Sequence, residues 1–194
     1  MESYHKLKKD IICCRDCRNI LLDEPKPIFQ GLKNSKIMQI GQAPSKSAMS
    51  EGKAFWDVSG NKLINEWYQI SKDEFYNEEN FYITSMAKCF PGKEKGQGDR
   101  KPPKQCAKKF LERELMIIDP KMYIVIGSYA AKWLFPNENM TNLIYQDLMY
   151  RGKPLFVIPH PSPLNYRWFY KHPKFEKERL KVIRENVQNI IRSK

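Results

Sequence analysis

Long hydrophobic runs are absent from this chain, and no apolar stretch approaches the roughly 20 residues that a membrane-spanning helix needs. The N-terminal stretch MESYHKLKKDII is too charged for a secretory signal, so we expect a cytoplasmic protein that contacts no membrane. Histidine is also scarce, with 3 in the sequence, and no segment is repeated. Each histidine therefore has to be judged by its own surroundings.

Acidic residues are in the minority. The sequence has 34 Lys and Arg against 22 Asp and Glu, which leaves a formal net charge of +12. The excess is spread along the chain, so a polyanion such as a nucleic acid suits it as a partner. A hydrophobic content of 41% excludes a wholly disordered chain, and the length of 194 residues predicts one domain over residues 1–194. We expect this domain to be a monomer.

Four of the five cysteines form two pairs, Cys14 with Cys17 and Cys89 with Cys106. Disulfides rarely persist in a reducing compartment, where clustered thiols more often bind metal or do redox chemistry. The alternatives are a thioredoxin-like redox pair or unrelated thiols, and Cys13 has no partner in this pattern. Cys89 and Cys106 stand too far apart for a second zinc knuckle, which favours an iron–sulfur cluster over zinc and leaves zinc open.

Apolar and β-branched residues concentrate in four short segments that are separated by stretches with helical spacing. The alternation predicts an α/β fold with a parallel sheet whose four strands are residues 36–40, 81–84, 122–126 and 155–158. Ligands bind outside the carboxyl ends of strands in such sheets, so the segments that follow the strands are candidate site segments. They contain Gly41–Ser45, Ser85 and His160.

A loop rich in Pro, Gly and Lys lies between Cys89 and Cys106. It has too few apolar residues to pack, so it is either a solvated insertion or a phosphate-contacting loop. In the second case Lys93, Lys95 and Arg100, together with Lys101, would contact phosphates.

Three longer motifs complete the pattern. They are GQAPSKSAMSEGKAFWDVSGNKLI at residues 41–64, ITSMAKCFPG at 83–92 and HPSPLN at 160–165. With the Cys-x-x-Cys and Cys106, their order and spacing resemble the uracil-DNA glycosylase superfamily, specifically its iron–sulfur families 4 and 5. The resemblance implies a three-layer α/β/α sandwich with a central four-stranded parallel sheet. It also implies excision of uracil or a related damaged base from DNA, by base flipping and hydrolysis of the N-glycosidic bond.

The resemblance assigns roles to residues of these motifs. Cys14, Cys17, Cys89 and Cys106 would hold a four-iron, four-sulfur cluster. Phe55 would stack on the flipped base, and His160 would donate a hydrogen bond to a base carbonyl oxygen. The backbone around Gly41, Gln42 and Ala43 would serve the same oxygen.

The same resemblance places DNA contacts after His160. Leu164 resembles the apolar wedge that enters the gap left by the extruded base. Ser162 belongs to the same motif, and Arg167 and Lys171 follow the wedge closely enough to grip phosphates. The aromatic run 166–170 either packs on the sheet or contacts DNA.

Two departures from the family pattern bear on activity. Gln42 and Ala48 stand where family 4 has glutamates, so Glu51 or Asp57 would have to activate water from a shifted position. Ser85 replaces an asparagine that reads the uracil edge, which predicts a broader or a different base preference. The alternatives to an active glycosylase are a catalytically weak homologue that senses damage, and a zinc-stapled nucleic-acid-binding domain.

Overall fold

The computed structural model describes residues 2–21, 24–94 and 98–193, and its centre is a five-stranded sheet in the order β2–β1–β3–β5–β4. The strands are β1 Ile37–Gly41, β2 Phe81–Ser85, β3 Met122–Ile126, β4 Leu148–Tyr150 and β5 Lys153–Ile158. All neighbouring strands are parallel except β4 and β5. The predicted α/β fold is therefore confirmed.

The predicted number of strands is wrong, because β4 adds an antiparallel edge strand to β5. The two strands are joined by Arg151 and Gly152, whose φ angles of 50° and 74° are those of a tight hairpin turn with two left-handed residues. β4 has three residues, and none of them is fully buried. Its apolar run, Leu148–Tyr150, is shorter than the roughly four to eight residues that mark a strand in a sequence.

The helices before β3 are α1 Tyr4–Ile12, α2 Lys46–Glu51, α3 Val58–Asn61, α4 Lys72–Tyr76, α5 Lys104–Cys106 and α6 Glu112–Ile117. π-helical segments extend α3 over Lys62–Tyr68 and join α5 to α6 over Ala107–Leu111. After β3 come α7 Gly127–Leu134, α8 Met140–Ile144, the 3-10 turn Pro163–Asn165, α9 Tyr166–Lys171, the π-helical segment Phe175–Arg179 and α10 Leu180–Arg192. No helix within the described ranges is long and apolar enough to cross a membrane.

Helices cover both faces of the sheet. The chain moves from β1 to β2 in one direction and then back past β1 to β3, so right-handed crossovers place the intervening helices on opposite faces. α10 packs on β1 and on the Lys62–Tyr68 segment, whereas the Ala107–Leu111 segment packs on β2. β1 and β3 are buried at every position as a result, which explains their largely apolar sequences. The exception is Gln39 in β1, whose side-chain oxygen accepts a hydrogen bond from the Tyr68 hydroxyl at 2.7 Å.

A small second apolar cluster fixes the N-terminal helix. Leu7 and Ile11 on α1 pack with Phe110, and Cys14 and Cys106 lie against the same cluster. This packing brings the N-terminal cysteine pair to the helix that carries Cys106.

Candidate functional site

A cavity of about 530 Å³ opens at the carboxyl ends of the parallel strands. Its walls come from the segment after β1, the end of β2, the segment after β5 and the loop that follows Cys89. Eight of the ten residues assigned base or DNA contacts from the family motifs and their neighbours line it, namely Gly41, Gln42, Ala43, Phe55, Ser85, His160, Ser162 and Leu164. Parallel strands bring distant segments to one edge of a sheet, and this is why residues more than 100 positions apart meet here.

His160 is held in one orientation by its own loop. Its Nδ1 accepts the backbone N–H of Ser162 at 3.2 Å, and the Asn165 side chain donates to the His160 carbonyl oxygen at 3.2 Å. A neutral imidazole with Nδ1 as acceptor carries its proton on Nε2. Burial lowers the pKa of His160 below the ordinary value of 6.5, and the charges of Asp57 and Asp99 oppose that shift.

Phe55 lies in the cavity wall in a strained backbone conformation, with φ at 56°. Gly60 makes this possible, because a Cβ there would lie 1.7 Å from the Phe55 carbonyl oxygen. The Tyr76 hydroxyl donates to the Ala54 carbonyl at 3.0 Å and lies 3.4 Å from that of Phe55. The ring of Phe55 is 6.3 Å from that of Phe75 in an edge-to-face arrangement. The Phe55 ring is thereby fixed at the cavity and only partly buried.

Ser85 has already used its proton. Its Oγ donates to the Ala87 carbonyl at 2.6 Å, so the hydroxyl can offer the cavity only an acceptor. An asparagine at this position would have offered an acceptor and two donors.

A buried ion pair lies behind Ser85. Lys88 Nζ is 2.6 Å from Glu114 Oε2 and donates to the Ser85 carbonyl at 2.9 Å. The two carboxylate oxygens of Glu114 also accept from Tyr82 at 3.0 Å and from Thr84 at 2.9 Å. Sequence reasoning missed this network. One signal was present, since Glu114 stands on the apolar stripe of its helix, where a charge needs a buried partner.

Among the described residues two carboxylates, Asp57 and Asp99, line the cavity, and Glu51 is not one of them. Asp57 caps α3 through its Oδ1, which accepts the Gly60 N–H at 2.9 Å. Asp99, which sequence reasoning missed, pairs with Lys93 at 2.7 Å, and both line the cavity. Lys95 lies outside the described residues.

Leu164 stands at the rim of the cavity with 73% of its surface exposed. It belongs to the 3-10 turn, and Ser162 Oγ caps this turn by accepting the Leu164 N–H at 3.3 Å. Arg167 and Lys171 are exposed on α9 and do not line the cavity.

The four cysteines singled out from the sequence line a second, separate pocket, and Cys13 is exposed outside it. The backbone N–H of Lys88 donates to Cys106 Sγ at 3.3 Å. Lys109 bonds Asp16 at 2.6 Å and so ties the loop between Cys14 and Cys17 to the helix that carries Cys106.

The environment of these thiols disfavours free thiolates. Burial raises the pKa of Cys17 and of Cys106, and burial together with the neighbouring cysteines raises the pKa of Cys89 to about 12. Across the described part of the chain, no three or more His, Cys, Asp or Glu side chains are arranged to hold a metal ion.

Comparison with known proteins gives one family. The model of the uracil DNA glycosylase superfamily matches residues 28–184. The chain is 26% identical to a type-4 uracil-DNA glycosylase of Sulfurisphaera tokodaii, over 95% of this chain and 85% of the relative. It is 28% identical to a type-4 enzyme of Archaeoglobus fulgidus over 86% of this chain and 85% of that one. It is also 25% identical to a type-5 uracil-DNA glycosylase of Pyrobaculum aerophilum, over 68% of this chain and 63% of the relative.

Proposed function

Because the chain belongs to the uracil DNA glycosylase superfamily, we propose that it is a DNA glycosylase that removes uracil or a related damaged base by hydrolysis of the N-glycosidic bond. The observation that carries the proposal is the meeting of Phe55 and His160 in one cavity at the carboxyl ends of the strands. One offers an aromatic face to a flipped base, and the other offers a hydrogen-bond donor.

The reaction needs little covalent help from the protein. When the bond between the base and C1′ breaks, its electron pair leaves with the base, and negative charge develops on the base carbonyl oxygens. A fixed N–H aimed at such an oxygen lowers the barrier. His160 suits this task because its Nδ1 is occupied by the Ser162 N–H and its Nε2 carries the proton. Its lowered pKa keeps that donor neutral at physiological pH.

Water then adds to C1′ and leaves its proton in the site. Gln42 has no basic side chain, but its amide can orient the water. Asp57 is the carboxylate named from the sequence that lines the cavity, and its charge reaches His160. We assign Asp57 the task of accepting the water's proton.

Base selection follows from the acceptor that Ser85 presents. A base with an N–H at its reading edge, such as uracil or hypoxanthine, can donate to the Ser85 Oγ, whereas cytosine carries a bare ring nitrogen there. A single acceptor distinguishes fewer bases than an amide does, so the proposal includes several deaminated bases as substrates.

The cysteine pocket fits a four-iron, four-sulfur cluster. The donor set of Cys14, Cys17, Cys89 and Cys106 consists of four partly buried thiols that line one pocket, and four thiolates are the usual ligands of such a cluster. Three of these thiols have raised pKa values, so a cationic centre would replace protons that they otherwise keep. A cluster bound there would supply four iron–thiolate bonds that join the N-terminal segment to the loop beside the base cavity. Zinc is the alternative to this cluster, and metal analysis of the purified protein distinguishes the two.

DNA binding in this proposal uses the rim of the cavity. Leu164 would fill the gap left by the flipped base, with Ser162 holding its turn, and Arg167 and Lys171 would contact phosphates. The cysteine pocket and the base cavity share the loop after Cys89, so we propose that the whole chain works as one domain. We also propose that the protein acts as a monomer.

The test is base release from single-stranded and duplex oligonucleotides that carry uracil, hypoxanthine, xanthine or a mismatch. His160→Ala should lower turnover about 10²- to 10³-fold, which is typical when a donor to developing charge is removed. His5→Ala is the matched control, since His5 is exposed on α1, and it should leave turnover unchanged. Binding without base release across the panel would refute the proposal and favour the damage-sensing alternative.

Selectivity has its own test. Ser85→Asn should raise the rates on uracil and on hypoxanthine together, because each base has a ring N–H beside a carbonyl oxygen and the amide offers an acceptor and a donor to that pair. Unchanged rates on both bases would exclude Ser85 as a reader of the base.

A further inference from the structure

The six-residue helix α9 has two distinct aromatic faces. Trp168 and Phe169 are partly buried, whereas Tyr166 and Tyr170 are 61% and 88% exposed. The exposed pair is separated by four positions, so the two rings lie on the same side of the helix.

The inner face holds the helix rigidly in place. Trp168 Nε1 donates to the Thr141 hydroxyl at 3.2 Å, and its ring packs edge-on against Phe175 at 5.7 Å. Phe169 packs edge-on against the buried Trp67 at 5.9 Å. The exposed tyrosines therefore stand on an anchored support.

The surroundings of the exposed pair are apolar and basic. Leu164, at the rim of the base cavity, precedes the helix by two residues, and Arg167, Lys171 and Lys174 are exposed around it. These three cations form no ion pair with any carboxylate in residues 2–21, 24–94 and 98–193. The guanidinium of Arg167 lies 5.7 Å from the centre of the Tyr166 ring. Free positive charge beside aromatic faces is the composition of a surface that binds single-stranded nucleic acid.

We propose that Tyr166 and Tyr170 stack on unpaired bases of the DNA strand beside the flipped nucleotide, and that the protein consequently prefers single-stranded or melted DNA. Residues four apart on a helix are separated by about 6 Å along its axis. Bases in a duplex stand about 3.4 Å apart and cover each other's faces. Only a strand with separated bases can therefore offer one face to each ring. The location of this strand beside the cavity rests on the proposed glycosylase function, but the stacking itself does not.

The experiment measures the affinity of the full-length protein for an undamaged single-stranded oligonucleotide and for the matching duplex, by fluorescence anisotropy. Tyr170→Leu keeps an apolar side chain and removes the ring, and Tyr170→Phe keeps the ring. We expect Tyr170→Leu to weaken single-strand binding roughly 5- to 150-fold, the range that corresponds to about 1–3 kcal/mol per stacked base. Tyr170→Phe should bind single strands about as well as the wild type, and the duplex affinity of the tyrosine variants should change little. Tyr166→Leu should behave like Tyr170→Leu.

Tyr145→Leu is the matched control, because Tyr145 is an exposed tyrosine that lies outside α9. Lys171→Ala should instead flatten the salt dependence of binding, which the tyrosine variants should leave unchanged. Equal losses for single strand and duplex, or no loss in Tyr170→Leu, would overturn the proposal. Loss of self-association or of binding to a protein, with DNA affinity intact, would also overturn it and identify the surface as a protein contact.

The two proposals fail separately. Undamaged DNA requires no chemistry, so ring-dependent single-strand binding without base release would contradict the glycosylase function and leave the stacking surface standing. Base release with unaltered single-strand binding in the tyrosine variants would contradict the stacking surface and leave the glycosylase function standing.

Discussion

The buried pair Lys88–Glu114 offers the sharpest test of how the interior supports the site. The two side chains are only 3% and 2% exposed, and their charged atoms are 2.6 Å apart. Glu114→Gln keeps the size of the side chain but removes its charge. Lys88 is then left as a buried cation, and the new amide group can turn a donor towards it.

The expected loss is large because the remaining charge is desolvated. Removing one partner of a buried pair lowers the free energy of unfolding by about 3–5 kcal/mol. Domains of this size have about 5–15 kcal/mol in total, so the variant should be close to its stability limit. The exposed pair Lys62–Glu176, 3.4 Å apart with side chains 24% and 48% exposed, is the control. Glu176→Gln should change the free energy by about 0–1 kcal/mol.

Urea unfolding followed by tryptophan fluorescence, under anaerobic conditions and at equal metal content, measures both losses. The double variant Lys88→Met with Glu114→Leu removes both charges and should be more stable than Glu114→Gln alone. The reasoning is refuted if Glu114→Gln loses no more than the exposed control, or if the double variant loses more than the single one.

Three further predictions concern the site. Gly60→Ala places a Cβ against the Phe55 carbonyl and should lower the free energy of unfolding by about 1–3 kcal/mol and also lower turnover. In Gly52→Ala the new Cβ meets no atom within 4 Å, so this variant should keep its turnover. A larger loss of turnover in Gly52→Ala than in Gly60→Ala would exclude Gly60 as the support of Phe55. Because burial lowers the pKa of His160, turnover should hold as pH falls to 6.5 and decline only below it, and a decline in turnover that begins well above pH 6.5 would contradict the shift. Below about pH 6.5 the histidine of the unfolded chain is protonated before that of the folded protein. Unfolding assays should therefore show the wild type losing stability relative to His160→Asn from about pH 6.5 downwards, until the folded histidine is protonated. Cys106→Ser should lose bound iron by metal analysis while Cys13→Ser keeps it; equal iron in both would rule out the assigned ligands.

The sequence could predict the elements whose signal is local. The central strands appear as short apolar runs because helices cover both faces of the sheet, and the positions after those strands could be named as site segments because parallel strands end at one edge. The edge strand β4 escaped prediction, since its apolar run of three residues is shorter than the roughly four to eight residues that mark a strand.

Within the site, the residue types were predictable and their hydrogen-bond directions were not. Ser85 was recognised as a departure from the family pattern, but only the contact with Ala87 shows that its proton is used and that it acts as an acceptor. Asp99 gave no signal, because its approach to the cavity depends on the path of the loop after Cys89.

By itself, the sequence determined the family, the four parallel strands of the sheet, the four cysteines of one pocket, and the histidine and phenylalanine that line the cavity. These follow from residue identity and spacing, which are properties of the chain. Only the tertiary structure decided which aromatic residues of α9 face inwards, which polar groups still have a free donor, and that Lys88 pairs with Glu114 in the interior. Four aromatic residues among five consecutive positions show no periodic contrast, and the neighbours that define a side chain's surroundings are remote in sequence.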